Sequence, residues 1–145
     1  MDVAVRPAHT HDAAALAELE RAARHALVDH RGGPQLLAEH PPVGDWAALC
    51  GRTDRHVLVG TIDEVVVAYL ELAVGTTAVV EQVYVDPEAR ELGLGDEMLA
   101  MAIAVARQRG CVALEGTALP GDRLTKNLYE RAAITTRKLT VWTAL

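Results

Sequence analysis

The stretch Val83-Tyr84-Val85-Asp86-Pro87-Glu88-Ala89-Arg90-Glu91-Leu92-Gly93-Leu94-Gly95 holds the residues best suited to chemistry. It reads as a strand, a tight turn and the glycine-bearing start of a long helix. Free backbone N–H groups at a helix N-terminus favour an anion. Gly93 and Gly95 lack a Cβ, so a diphosphate could approach the backbone closely, and Arg90 could add a positive charge. A helix that uses glycine for sharp geometry and holds no ligand has the same pattern. A dinucleotide-binding loop would need G-x-G-x-x-G after the first strand of the unit, and Met98 stands at its last position. A P-loop would need G-K-[ST], which is absent. On a strand Glu81 shares a face with Val83 and Val85, two and four residues on. Tyr129 lies further along, in the last helical segment.

The elements that must position these residues follow from spacing. Val3 to Val5 is a short strand, and Thr10 or Asp12 can cap the helix after it. Leu16, Leu19, Ala23, Ala26 and Leu27 recur there at helical spacing. A second helical piece covers Gln35 to Glu39 and resumes at Asp45 to Leu49. His56 to Ile62 and Val65 to Val74 read as a β-hairpin, and Ala78 to Val85 as a third run. The helix after Gly95 reaches about Arg109, with Leu94, Met98, Met101 and Val105 as its stripe and Gly110 as its stop. Cys111 to Thr117 is a strand, Arg123 to Ala133 a helix, and Thr136 to Thr143 a last strand. The order is β-α-α-β-β-β-α-β-α-β, an α/β chain with a mixed sheet flanked by helices. Residues 1–145 make one domain.

Composition excludes several classes. The net charge of −6 argues against a nucleic-acid partner, which calls for a basic patch. The two cysteines, Cys50 and Cys111, are too few for a disulfide framework or a zinc site, and no metal is expected. Asp2 and Arg6 interrupt any early apolar run, and Leu99 to Ala106 is far short of a membrane span. A cytoplasmic location is the expectation. With no Phe, the core must be Val, Leu, Ile and Ala, with Trp46 and Trp142 as its large pieces.

V-x-V-x-P-E-x-R-x-x-G-x-G before an apolar helix resembles the acetyl-CoA-binding motif of GCN5-related N-acetyltransferases. Asn127-Leu128-Tyr129-Glu130-Arg131-Ala132-Ala133 resembles that family's N-x-Y-x-R-x-G element, and the element order matches its fold along essentially the whole chain. The resemblance implies an acetyl group moved from acetyl-CoA to a primary amine. It implies that backbone groups of Val83 and Val85 hold the pantetheine arm and the thioester carbonyl. It places the pyrophosphate on N–H groups of Glu91, Leu92, Gly93, Leu94, Gly95 and Asp96, and Asn127 on the pantetheine side. It makes Tyr129 the general acid for the departing thiolate, which a phenol of pKa about 10 can serve. Glu81 matches the water-assisted base of spermidine/spermine-type acetyltransferases. Dimerisation is a further implication, and the acidic chain leans toward a small cationic amine as partner.

Two departures set the alternative. Asp86, Glu88, Glu91, Asp96 and Glu97 surround the anion loop and should repel phosphate, unless Arg90, Arg123, Lys126 and Arg131 compensate. Ala133-Ile134 stands where the family has Gly-Phe. A non-catalytic CoA-binding or protein-interaction domain would tolerate both. Tyr129 as packing between helix and sheet, and Glu81 as a solvated strand residue, remain open.

Overall fold

The structure, a computed structural model, describes residues 1 to 145. Its strands are β1 (Val3–Pro7), β2 (Arg55–Ile62), β3 (Val65–Ala73), β4 (Thr77–Val85) and β5 (Ala113–Gly116). Its helices are α1 (Ala13–Leu27), α2 (Gly33–Glu39), α3 (Trp46–Cys50), α4 (Leu94–Gln108) and α5 (Arg123–Arg131). The five strands lie in sequence order in one sheet, antiparallel except for the parallel pair β4–β5. The mixed α/β architecture expected from the sequence is therefore present.

The sheet is buried on both faces. On one, Leu58, Ala68, Leu70, Leu72 and Val80 meet Leu94, Met98, Leu99, Ala102 and Ala106 of α4. The buried stripe of α4 runs through two alanines rather than Met101 and Val105, which are only partly buried. On the other face Leu16, Leu19, Trp46 and Leu49 cover Val57, Val59 and Tyr69. Trp46 packs edge-on against Tyr69 with ring centroids 5.5 Å apart. Full burial of one such side chain contributes about 1.5–3 kcal/mol.

Three expectations are corrected. The strand at Thr136 to Thr143 does not form, and Trp142 is 64% exposed rather than in the core. α5 is followed by Ala133 in a left-handed conformation (φ 61°), and the chain beyond it meets no strand. An unpaired strand has no ladder to satisfy its N–H and C=O groups, so water takes them. Cys111 and Val112 do not belong to β5. The Cys111 N–H donates to the Ala106 carbonyl and closes the end of α4, where Gly110 has φ 78°.

The turn between β1 and α1 is held by a bidentate pair. Arg6 donates to the Asp12 carboxylate at 2.8 and 3.0 Å, and the His9 N–H donates to it at 2.7 Å. The Arg6 guanidinium holds the Asp12 carboxyl below its usual pKa, against the opposing effect of burial. A lowered carboxylate pKa stabilises the fold above the unfolded value, about 4, and that stability is lost as pH falls through the folded value. Asp12→Asn is expected to lower stability by about 2 kcal/mol at neutral pH, with the difference shrinking below about pH 4. Urea melts of both proteins across that range measure it. A pH-independent difference would assign the effect to the turn alone.

Candidate active site

β4 and β5 pair only from Thr77–Ala113 to Val80–Gly116. Beyond Val80 the strands part, so Glu81 to Val85 have no neighbour on that side. The gap opens into a cleft of about 1250 Å³, lined by β4, the start of α4, α5 and the inner faces of α1 and α2.

One half of the cleft is built for an anion. The Asp86 carboxylate accepts the Glu88 N–H at 2.9 Å and fixes the turn at Pro87–Ala89. Glu91 (φ 69°) and Gly93 (φ 80°) then swing the chain into α4. The first helical bond is Glu97 N–H to the Gly93 carbonyl, and no side chain caps Gly93. The N–H groups of Glu91 through Asp96 find no backbone acceptor. Gly95 lies against Val85 and Leu128, which brings α5 beside the loop. Arg131 reaches across to Asp96 at 2.9 Å. Glu91, Asp96 and Asp122 line the cleft here with Arg90, Arg123 and Arg131, whereas Glu88, Glu97 and Lys126 do not. The carboxylates here are thus faced by three arginines, the compensation that the sequence allowed for if α5 packs beside the loop.

Tyr129 closes this half. Its side chain is buried, and its hydroxyl sits against Gly116 so closely that a Cβ there would collide with it. Burial pushes the phenol pKa above its ordinary value, and the Asp122 carboxylate adds to the effect. The proton is therefore held throughout the neutral range. The hydroxyl makes no side-chain hydrogen bond within the protein.

The other half lies on the α1 side of the sheet and carries Glu81. Leu72 pairs with Val80 and Glu71 with Gln82, so Glu81 is the extra residue of a β-bulge. The bulge overturns the shared face. Val83 and Val85 pack toward α4, whereas Glu81 stands near α2, its Oε2 3.6 Å from His40 Nδ1. Gln82 beside it is held from three sides. It donates to Glu20 at 2.7 Å and to Glu71 at 3.1 Å, and accepts from the Tyr69 hydroxyl at 2.7 Å. Glu20 also accepts from the Val43 N–H and from Trp46 Nε1, both at 3.2 Å. Burial raises the pKa of Glu71, with Glu81 and Glu20 adding to it against Gln82 and Arg55. Burial likewise raises that of Tyr69.

Of the residues singled out from the sequence, Glu81, Val83, Val85, Arg90, Glu91, Gly93, Leu94, Gly95, Asp96 and Tyr129 line one cleft. The Leu92 and Asn127 side chains are exposed and outside it. Glu115 does not line it either. Glu20, Gln82, His40 and Gly116 were missed. Only Glu20 left a signal: it lies four residues after Leu16, on the apolar stripe of α1.

A family model described as "Acetyltransferase (GNAT) family" matches residues 14–133. The chain belongs to the GNAT acetyltransferase family. Solved structures with the same fold include AAC(6')-Iy in complex with the bisubstrate analogue CoA-S-monomethyl-acetylneamine (11% identity, TM-score 0.76, covering 100% of this chain and 99% of that one). A ribosomal-protein-alanine N-acetyltransferase from Brucella melitensis biovar Abortus 2308 shares 17% identity at a TM-score of 0.72, covering 100% and 99%. The aminoglycoside acetyltransferase meta-AAC0020, from an uncultured soil metagenomic sample, shares 14% at 0.74, covering 99% and 95%. No curated protein sequence matches. No helix of this N-acetyltransferase is long and apolar enough to cross a membrane.

Proposed function

We propose that this acetyltransferase moves an acetyl group from acetyl-CoA to a small cationic primary amine by direct attack. The observation that carries the reading is the parting of β4 from β5 beside a run of six N–H groups without backbone acceptors. The residues fit acetyl-CoA. The unpaired edge at Val83 and Val85 can take the amide-bearing arm. N–H groups from Glu91 to Asp96, with Arg90, Arg123 and Arg131, can take the pyrophosphate. Asn127, exposed and away from the cleft, is left without a part. Bound there, acetyl-CoA supplies an activated acyl carbon and a thiolate leaving group.

The chain's own groups supply the rest. Glu81 accepts the amine proton, through water, on the α1 side of the bulge. A backbone N–H near Val83 meets the oxyanion. Tyr129, protonated at working pH, donates toward the departing sulfur. Glu81, Glu71 and Glu39 give the acceptor half three carboxylates beside Arg24 and Arg55, which favours a cationic acceptor. Calorimetry with acetyl-CoA, followed by turnover on a panel of amines, tests this. Micromolar binding with turnover supports it, and binding without turnover on any amine would favour the non-catalytic reading.

Glu91 gives a sharper check on the loop. Its left-handed backbone costs about 1 kcal/mol in a non-glycine residue, and its carboxylate lies where phosphate is expected. Glu91→Gly is expected to raise stability by about 1 kcal/mol and to tighten acetyl-CoA binding about tenfold at low salt. Raised stability with an unchanged Kd would remove the pyrophosphate from this loop.

A further inference from the structure

Four leucines line the cleft without serving either core of the fold. Leu27, at the end of α1, and Leu36 and Leu37, in α2, are half-buried there, and buried Leu119 joins them from the link between β5 and α5. None of the four belongs to the core on either face of the sheet. Two glycines bring them together. A Cβ on Gly33 would fall 1.7 Å from the Leu27 carbonyl oxygen, so glycine alone lets α2 start against the end of α1. A Cβ on Gly32 would lie 3.3 Å from a methyl of Leu119, which reaches it from the β5 side of the gap. The Leu36 N–H donates to the Gly32 carbonyl at 3.0 Å, one turn further on. Leucine left facing a concave site is the usual lining for the apolar part of a small ligand.

We infer that this leucine wall holds an apolar tail of the acceptor, so that the substrate is a primary amine on an alkyl or aryl chain; the inference rests on the acetyl transfer proposed above. Charge sets the direction of the ligand. Glu39, on α2 beside the leucines, and Glu81, on β4, line the same half of the cleft. The cations nearby are already engaged. Arg24 donates to the last carbonyls of α2, at Leu37 and His40, and Arg55 faces Glu71 and Asp54, each at 3.4 Å. An ammonium therefore settles at Glu81, and its chain runs along the leucines. The cofactor is a poorer occupant. Pantetheine amides need hydrogen-bond partners, which four leucine side chains do not offer, and the arginines that suit pyrophosphate lie in the other half. A long acyl chain on CoA would match the leucines but leave the carboxylates beside them without a cation.

Hexylamine and ω-aminopentanol test this, because they match in length and charge and differ only in a terminal methyl or hydroxyl. With acetyl-CoA as donor, kcat/KM is expected to be at least about tenfold higher for hexylamine, and to rise about fourfold per methylene from propylamine to hexylamine. Leu37→Ser is expected to lower the ratio of the two amines at least about fivefold. The ratio is taken within one sample, so a loss of folded protein does not move it. Equal kcat/KM for the two amines, or a ratio that Leu37→Ser leaves unchanged, overturns the inference and leaves acetyl transfer in place. A preference for hexanoyl-CoA over acetyl-CoA that Leu37→Ser removes also overturns it, since the acyl chain then occupies the wall. If no amine is turned over, the transfer reading fails, and calorimetry decides the tail site separately. Hexylamine bound about tenfold more tightly than ω-aminopentanol then upholds it, and equal affinity overturns it.

Discussion

Replacing Tyr129 by phenylalanine is expected to lower kcat for amine acetylation about 10²- to 10³-fold, with the Kd of acetyl-CoA changed less than about twofold. The tyrosine is buried beside the gap between β4 and β5, and its hydroxyl has no side-chain partner in the protein. Removing that oxygen therefore leaves no buried donor or acceptor stranded, and the fold should be as stable or slightly more so. The loss must then be chemical. A thiolate leaving near neutral pH gains from a proton donor, and the phenol is one throughout that range because burial raises its pKa. The deficit should be flat between about pH 6 and about pH 9, since the donor does not titrate there. Acyl donors with more acidic leaving groups should shrink it. A variant with kcat within about threefold of wild type would reduce Tyr129 to packing between α5 and the sheet.

Much of this arrangement was legible in the sequence, and the boundary of legibility has physical causes. Pro87, Gly93 and Gly110 are local punctuation, so the limits of α4 could be read directly. The loop and Tyr129 were expected in one cleft through the resemblance of their two motifs to those of the acetyltransferase family, not through spacing. The bulge at Glu81 could not be read. It is a property of register between β3 and β4, and no single strand encodes it. Parity counting along one strand assigned Glu81 to the wrong face for that reason. The charge of the loop was legible only as a choice between repulsion and compensation, since the pairing of Asp96 with Arg131 joins residues brought together by α5. At Thr136 to Thr143 the side chains carry strand character, but a strand exists only with a partner.

Glu81→Gln is expected to lower kcat/KM about 10²-fold near neutral pH, and the deficit should narrow as pH rises. An aliphatic amine with a pKa near 10 is almost wholly protonated at pH 7, so the enzyme must remove a proton before nitrogen can attack. Each unit of pH raises the free-amine fraction about tenfold, until the amine titrates. If Glu81 takes that proton, the variant should recover toward wild type along this slope. If Glu81 instead only anchors the positive charge, the loss should appear in KM, and raising pH should not repair it in the same way. The bulge makes the first outcome the expected one. It sets Glu81 beside half-exposed His40, on the α1 side of the gap, where a proton has a way out to solvent. Gln82, fixed by Glu20, Glu71 and Tyr69, keeps the adjacent backbone from relaxing when the carboxylate is neutralised. The substitution therefore removes a charge without moving the strand, and the pH profile of kcat/KM separates the two roles.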